Sequence, residues 1–364
     1  MRDELHFAQM KNAVAELFRT QAVRPPWPRM ILCAIATGLP LAVGWSRGQL
    51  MLSVYGALWG YLLALNDHQG TRAQRVRTLT LTLLFLITGF SAGLWLHSTP
   101  WLFAAAFALM VYWVGILGGD GAELERAAVF LLVSAFVSEF SPPLPASMYI
   151  PLVLYGLLGF VVVLVTVSLL STLRGRPAPD AILGLRQSFR RSFTRVAEKH
   201  IHAASYTSAV LLALVLAWQV PMERSYWIVI TVLLVMRADR TQSLIITAQR
   251  LIGTAVATLT CDFLLSLGPP PLIVLLSAVL CALLIPDAIK RNYIWASFLI
   301  TSFVVALLEV DPQHLNPAAP SLAFLRFKAT LIGCAFSVTG TLIAKLLSLL
   351  FLRWTGEPGV RPPA

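Results

Sequence analysis

The residues with most chemistry to offer are charged ones in apolar surroundings. Asp262 stands inside one apolar stretch, Glu139 and Glu309 at the ends of two others, and Arg326 and Lys328 early in the last. A charge held at mid-membrane costs about 2.5–3.5 kcal/mol on insertion scales, so such a side chain reaches the headgroups, pairs, or serves a path for solutes. Arg326 lies five residues past Ser321, only about 7.5 Å along a helix. It and Lys328 could therefore snorkel to the interface. The alternative is that Arg326 faces the bundle interior, attracts an anion, and pairs with Glu309 or Asp262 when empty. Lys345, eight residues before Arg353, lies deeper, about 12 Å from that end. Thr231 and Thr254 read first as residues bonding back to their own helices. Gly253 and Gly333 read as points of close helix contact.

Catalytic machinery is missing from the pattern. The six histidines are scattered, and His200 and His202, at i and i+2, point to different faces of a helix. There is no His-Glu-x-x-His, no phosphate-binding Gly-x-x-x-x-Gly-Lys, no Gly-x-Ser-x-Gly and no carboxylate cluster. No catalytic residue, metal site or cofactor is expected, and the lack of an ATP-binding loop argues against a self-powered pump. The four cysteines lie in apolar stretches without Cys-x-x-Cys spacing and read as packing residues.

The elements around these charges follow from composition. Of 364 residues, 57% are hydrophobic and 12% charged, against about 25% charged in soluble domains. Such a chain cannot cover a globular surface with polar groups, so an all-α polytopic membrane protein is expected. Twelve apolar stretches are legible: Met30–Trp45, Gln49–Leu65, Leu79–His97, Trp101–Leu117, Ala127–Phe140 and Tyr149–Leu173, then Ala203–Val220, Ser225–Met236, Leu251–Leu267, Pro271–Ile285, Tyr293–Glu309 and Leu322–Phe351. Several fall short of 18 residues and could be buried or re-entrant rather than spanning.

The net charge of +11 is distributed as membrane topology requires, and nothing points to nucleic acid. With a cytoplasmic N-terminus, 23 of the 28 Lys and Arg fall on the cytoplasmic side and only Arg47 and Arg224 in outer loops. The positive-inside rule then puts both termini in the cytoplasm. The charged N-terminal stretch lacks the features of a cleaved signal.

The chain also reads as two similar halves. Trp45 and Trp218 close comparable stretches 173 residues apart; Asp67 and Asp239 follow comparable stretches 172 apart; Glu139 and Glu309 precede proline-rich loops 170 apart. Six crossings per half make the repeats parallel. The layout expected is a cytoplasmic amphipathic helix at 1–28, a six-span repeat at 29–174, a basic amphipathic linker at 175–202, a second repeat at 203–354 and a cytoplasmic tail at 355–364. Phe7, Met10, Val14, Leu17 and Phe18 mark the first amphipathic helix, and Ile182, Leu185, Phe189, Phe193 and Val196 the second.

One stretch carries more than composition. Tyr226-Trp227, Thr231, Arg237-Ala-Asp239 and Arg250-Leu-Ile-Gly253-Thr254, with Arg326-Phe-Lys-Ala-Thr-Leu-Ile-Gly333 downstream, resemble the signature of the fusaric acid resistance family, which includes aromatic acid exporters and is related to plant aluminium-activated malate channels. The first half is degenerate: Arg77-Thr-Leu-Thr80 replaces Arg-x-x-Gly-Thr, and Tyr155-Gly156 stands where the second half has Arg326. The resemblance implies a multi-pass bacterial inner-membrane transporter exporting organic, often aromatic, anions, in some members with a periplasmic adaptor. This chain lacks the large cytoplasmic insert of long members. Beyond the bilayer and a small organic anion, an adaptor and a homo-oligomeric copy stay open as partners. On this reading Arg250, at the cytoplasmic start of the ninth span, and Arg326, nearer the outer face, are two stations for a carboxylate along the pseudo-symmetry axis, and Asp262 or Glu309 carries a proton. A structural tie of Arg250 to Asp239 or to helix-end carbonyls is the competing reading. A passive anion channel and a membrane scaffold are the competing functions.

Overall fold

The computed structural model describes residues 17–67, 71–117, 122–139, 146–174, 196–220, 222, 224–236, 240–308 and 321–355. Regular structure among them is entirely helical. The first six helices are α1 (Trp27–Ser46), α2 (Leu50–Asn66), α3 (Arg72–Leu96), α4 (Pro100–Leu117), α5 (Ala122–Glu139) and α6 (Ala146–Arg174). The second six are α7 (Val196–Gln219), α8 (Tyr226–Val235), α9 (Arg240–Ser266), α10 (Pro271–Arg291), α11 (Tyr293–Leu308) and α12 (Leu322–Thr355). Each apolar stretch of the sequence thus holds one helix.

Their lengths are unequal. Eight described helices are long and apolar enough to cross a membrane, which makes the chain a multi-pass membrane protein. At the other extreme, α8 has ten residues, a rise of about 15 Å, half of the roughly 30 Å hydrocarbon core. The expected eighth crossing is therefore a half-length helix. It is apolar on every side, and all its residues but Leu234 are buried, as suits a helix enclosed by others.

Within residues 27–174, α1 packs on α2 and α6, α2 on α3 and α6, α3 on α5 and α6, and α4 on α5. Within 196–355, α7 packs on α8 and α12, α8 on α9 and α12, α9 on α11 and α12, and α10 on α11. Across the chain, α4 lies on α7 and α10 on α1. Apolar clusters draw on both parts. One joins Phe103, Phe107 and Phe136 to Trp227 and Leu233; another joins Leu63, Leu86 and Phe90 to Ala278 and Phe303.

Glycines permit two close helix approaches in the second half. A Cβ at Gly253 would meet the Ile294 carbonyl oxygen at 2.3 Å, and one at Gly333 the Ile228 carbonyl oxygen at 2.6 Å. These contacts bring α9 against α11 and α12 against α8. Polar caps fix other ends. Thr71 and Gln74 form a reciprocal capping box at the start of α3. Asn292 accepts the Ile294 N–H at 2.7 Å and so caps α11. The two expected amphipathic helices lie largely outside the described residues, as do residues 175–195 of the linker.

Candidate functional site

Four helices converge on a buried polar cluster: α8, α9, α11 and α12. Arg250 on α9 is fully buried, and its Nη1 donates to the Tyr293 hydroxyl at 3.2 Å. Arg326 on α12 is 2% exposed, with its guanidinium carbon 4.9 Å from the Trp227 ring centroid. Arg250 Nε and Nη2 and Arg326 Nε have no hydrogen-bond partner. The electrostatic neighbours of Arg326 are Arg250 and the hydroxyls of Tyr226 and Tyr293. No carboxylate among the described residues forms an ion pair with either arginine. Two buried like charges with open donors repel each other and favour an anion between them.

Register locates the pair. Thr258 on α9 donates to the Ala323 carbonyl at 3.1 Å, and the Cys334 thiol to the Thr247 carbonyl at 3.8 Å. Antiparallel α9 and α12 are thereby locked with Arg250 and Arg326 about five residues apart in level, roughly 8 Å of rise. Arg250 lies ten residues beyond the start of α9 at Arg240. The two guanidiniums thus share one cluster instead of forming separated stations at opposite ends. Arg326 does not snorkel.

Hydroxyls extend the cluster. Arg250, Thr254 and Thr258 on α9, and Tyr293, Ser297 and Thr301 on α11, each recur at four-residue spacing, so each set lines one helix face. Thr254 Oγ1 lies 3.2 Å from Ser297 Oγ and 3.4 Å from Thr301 Oγ1, and Ser297 donates to the Arg250 carbonyl at 3.0 Å. Thr254 therefore reaches across to α11. Thr231 does bond back, to the Trp227 carbonyl at 2.8 Å. Thr330, one turn along from Arg326, leaves its buried hydroxyl unpartnered.

The start of α8 adds a third cation. Arg224 has φ 59°, in the left-handed region, the sole non-glycine with positive φ among the described residues. Its guanidinium carbon lies 5.9 Å from the Trp227 centroid. It also hydrogen-bonds the Tyr226 side chain, which has Tyr55 of α2 as a further neighbour. The first turn of a helix carries positive partial charge, so α8 directs its dipole toward the same region.

Other expected residues fall elsewhere. Lys328 is exposed, its ammonium 4.6 Å from the Phe324 ring centroid. Asp262 is twelve residues beyond Arg250 on α9, with one buried carboxylate oxygen unpartnered. Asp67 pairs with Arg75 at 2.9 Å while Arg29 donates to its carbonyl oxygen, joining the ends of α1, α2 and α3. Arg77 is exposed, and so is Lys345. Glu139 is buried on α5, its carbonyl oxygen 2.7 Å from His97 Nδ1. Glu309 and Asp239 lie outside the described residues. Among those that are described, no three His, Cys, Asp or Glu are grouped to hold a metal ion.

Residues 209–354 match the family model described as fusaric acid resistance protein-like. Over that stretch the chain is similar to the fusaric acid resistance family. The match takes in α8 to α11 entire, the second part of α7 and nearly all of α12, and with them Arg250 and Arg326. No curated protein and no solved structure matches the chain. Sequence reading singled out Arg250, Arg326, Thr231 and Thr254 but missed Arg224, Tyr293, Ser297 and Thr301 as site residues. The four-residue stripe on α11 is the signal that could have found the last three. Arg224 carried none, because its role depends on the depth at which α8 begins.

Proposed function

We propose that this protein carries organic anions, aromatic carboxylates above all, out of the cytoplasm across a bacterial inner membrane, acting as a transporter and not as an enzyme. The observation that carries the reading is the Arg250–Arg326 pair: two buried guanidiniums with unpartnered nitrogens, in reach of each other's charge. Charged donors left unpaired in a low-dielectric interior are costly; an anion that shuttles through would relieve that cost transiently. Trp227, Tyr226 and Tyr293 offer aromatic faces beside the cations, which suits a carboxylate attached to a ring. The fusaric acid resistance family match supports the same class of cargo.

The proposed frame is twelve membrane helices in two parallel six-helix repeats, both termini cytoplasmic. Helix pairing supports it. Adding six to each helix number turns the principal contacts of the first half into those of the second, and α4 on α7 into α10 on α1. The halves differ in chemistry, since Tyr155, which donates to Gln49 at 3.1 Å, stands where the second half has Arg326. One charged site per chain is therefore expected. Asp262 or Glu309 would carry a proton if export is proton-coupled.

Flux of benzoate and aliphatic carboxylates from vesicles holding the purified chain, compared with Arg250→Ala and Arg326→Ala, tests this. Both variants should lose at least tenfold in flux at equal protein content. Unchanged flux in both would remove the site.

A further inference from the structure

The segment leading into α1 is fastened to the far part of the chain by sequence neighbours of the two site residues that bond each other. Gln249, beside Arg250, donates from Nε2 to the Leu17 carbonyl at 2.9 Å. Asn292, beside Tyr293, donates from Nδ2 to the carbonyls of Leu17 and Arg19, each at 3.1 Å. The Gln21 N–H donates to the Arg291 carbonyl at 3.0 Å. Gln249 and Asn292 are each 7% exposed, so their amides are satisfied away from bulk water, by main-chain atoms more than 200 residues earlier.

Asn292 is also structural for the site. Its N–H closes α10 on the Ala288 carbonyl, and its Oδ1 caps α11 immediately before Tyr293 is followed by Ile294. One side chain thus joins the N-terminal segment, the end of α10 and the helix that presents Tyr293 to Arg250. The attachment is shallow. Phe18 is 59% exposed, and the bonds with Gln249, Asn292 and Arg291 engage backbone groups of the segment, which exchange readily for water on release.

We propose that Leu17–Val23 is a strap closing the Arg250–Tyr293 end of the cluster, and that it lifts to let an anion pass that end. This rests on reading the cluster as an anion site. Because Gln249 and Asn292 adjoin the bonded pair in sequence, loosening the strap frees the residues that flank the Arg250–Tyr293 hydrogen bond on both helices. Regulation of flux would then act on one segment instead of on a whole-domain movement.

The test locks and loosens the strap in the full chain reconstituted into vesicles. Gln21→Cys with Arg291→Cys places two thiols on backbones already hydrogen-bonded, within disulfide reach. Oxidation should lower radiolabelled benzoate flux at least tenfold, dithiothreitol should restore it, and the Arg291→Cys single variant should not respond. Complete cross-linking with undiminished flux overturns the strap while leaving the anion site standing. In a second variant, Gln249→Ala, trypsin should cut after Arg19, which Thr20 follows, at least threefold faster and benzoate flux should rise. Faster cutting without a change in flux also overturns the strap. If the reduced double-cysteine protein and the unaltered protein both carry benzoate no faster than protein-free vesicles, the anion-site reading fails and the strap falls with it.

Discussion

Thr254 and Ser297 meet hydroxyl to hydroxyl at 3.2 Å, the middle rung between two polar stripes on α9 and α11. Ser297 keeps a second partner in the Arg250 carbonyl, so the rung can be removed without orphaning it. Thr254→Val should cost about 1 kcal/mol of stability, a small shift in melting temperature. Benzoate flux should fall more than that shift explains. A thermal melt in detergent beside the flux assay checks both.

Trp227 is the face on which Arg326 rests. A desolvated cation–π contact is worth about 2 kcal/mol, and each 1.4 kcal/mol is a factor of ten. Trp227→Leu should therefore weaken benzoate transport by one to two orders of magnitude, and Trp227→Phe by less. Lys328→Ala and Arg77→Ala, both exposed, should stay within twofold of the unaltered protein.

Arg224 holds a backbone conformation that glycine adopts at no steric cost. Arg224→Gly should leave the melting temperature unchanged or slightly raised while lowering flux severalfold through loss of the third cation. Arg224→Lys should fall between them. A fall in both stability and flux for the glycine variant would mean that Arg224 acts only as a structural tie.

Close approach at Gly333 makes a stability prediction independent of transport. A methyl there meets the Ile228 carbonyl at 2.6 Å and the Thr231 Cβ at 2.7 Å, and overpacking of this kind costs about 1–3 kcal/mol. Gly333→Ala should lower the melting temperature clearly. Gly48→Ala, where a methyl meets nothing but φ is 64°, should cost less.

Fold class was legible because it depends on composition: low charge and long apolar runs admit few alternatives. The helix positions followed, since each apolar stretch carried its own boundaries in charged or proline-containing loops. Depth did not follow. Arg250 stands where an apolar run begins, which reads as a helix end, yet α9 starts at Arg240 because Ser243 and Thr247 can continue a helix buried against neighbours. Arg326, close to its own helix start, is covered by α8, whose position only tertiary packing defines. Thr254 and Thr231 look equivalent in sequence, yet one bonds across to α11 and the other back to its own turn. Only the helix facing each decides that.

Joint binding of a carboxylate by Arg250 and Arg326 is open to calorimetric titration with benzoate and its neutral isostere benzamide. The purified protein should bind benzoate saturably and benzamide far more weakly, and Arg250→Gln with Arg326→Gln should abolish the difference while retaining the melting transition. Equal binding of the two ligands, or a benzoate affinity untouched in the folded double variant, would show that the two arginines hold no carboxylate.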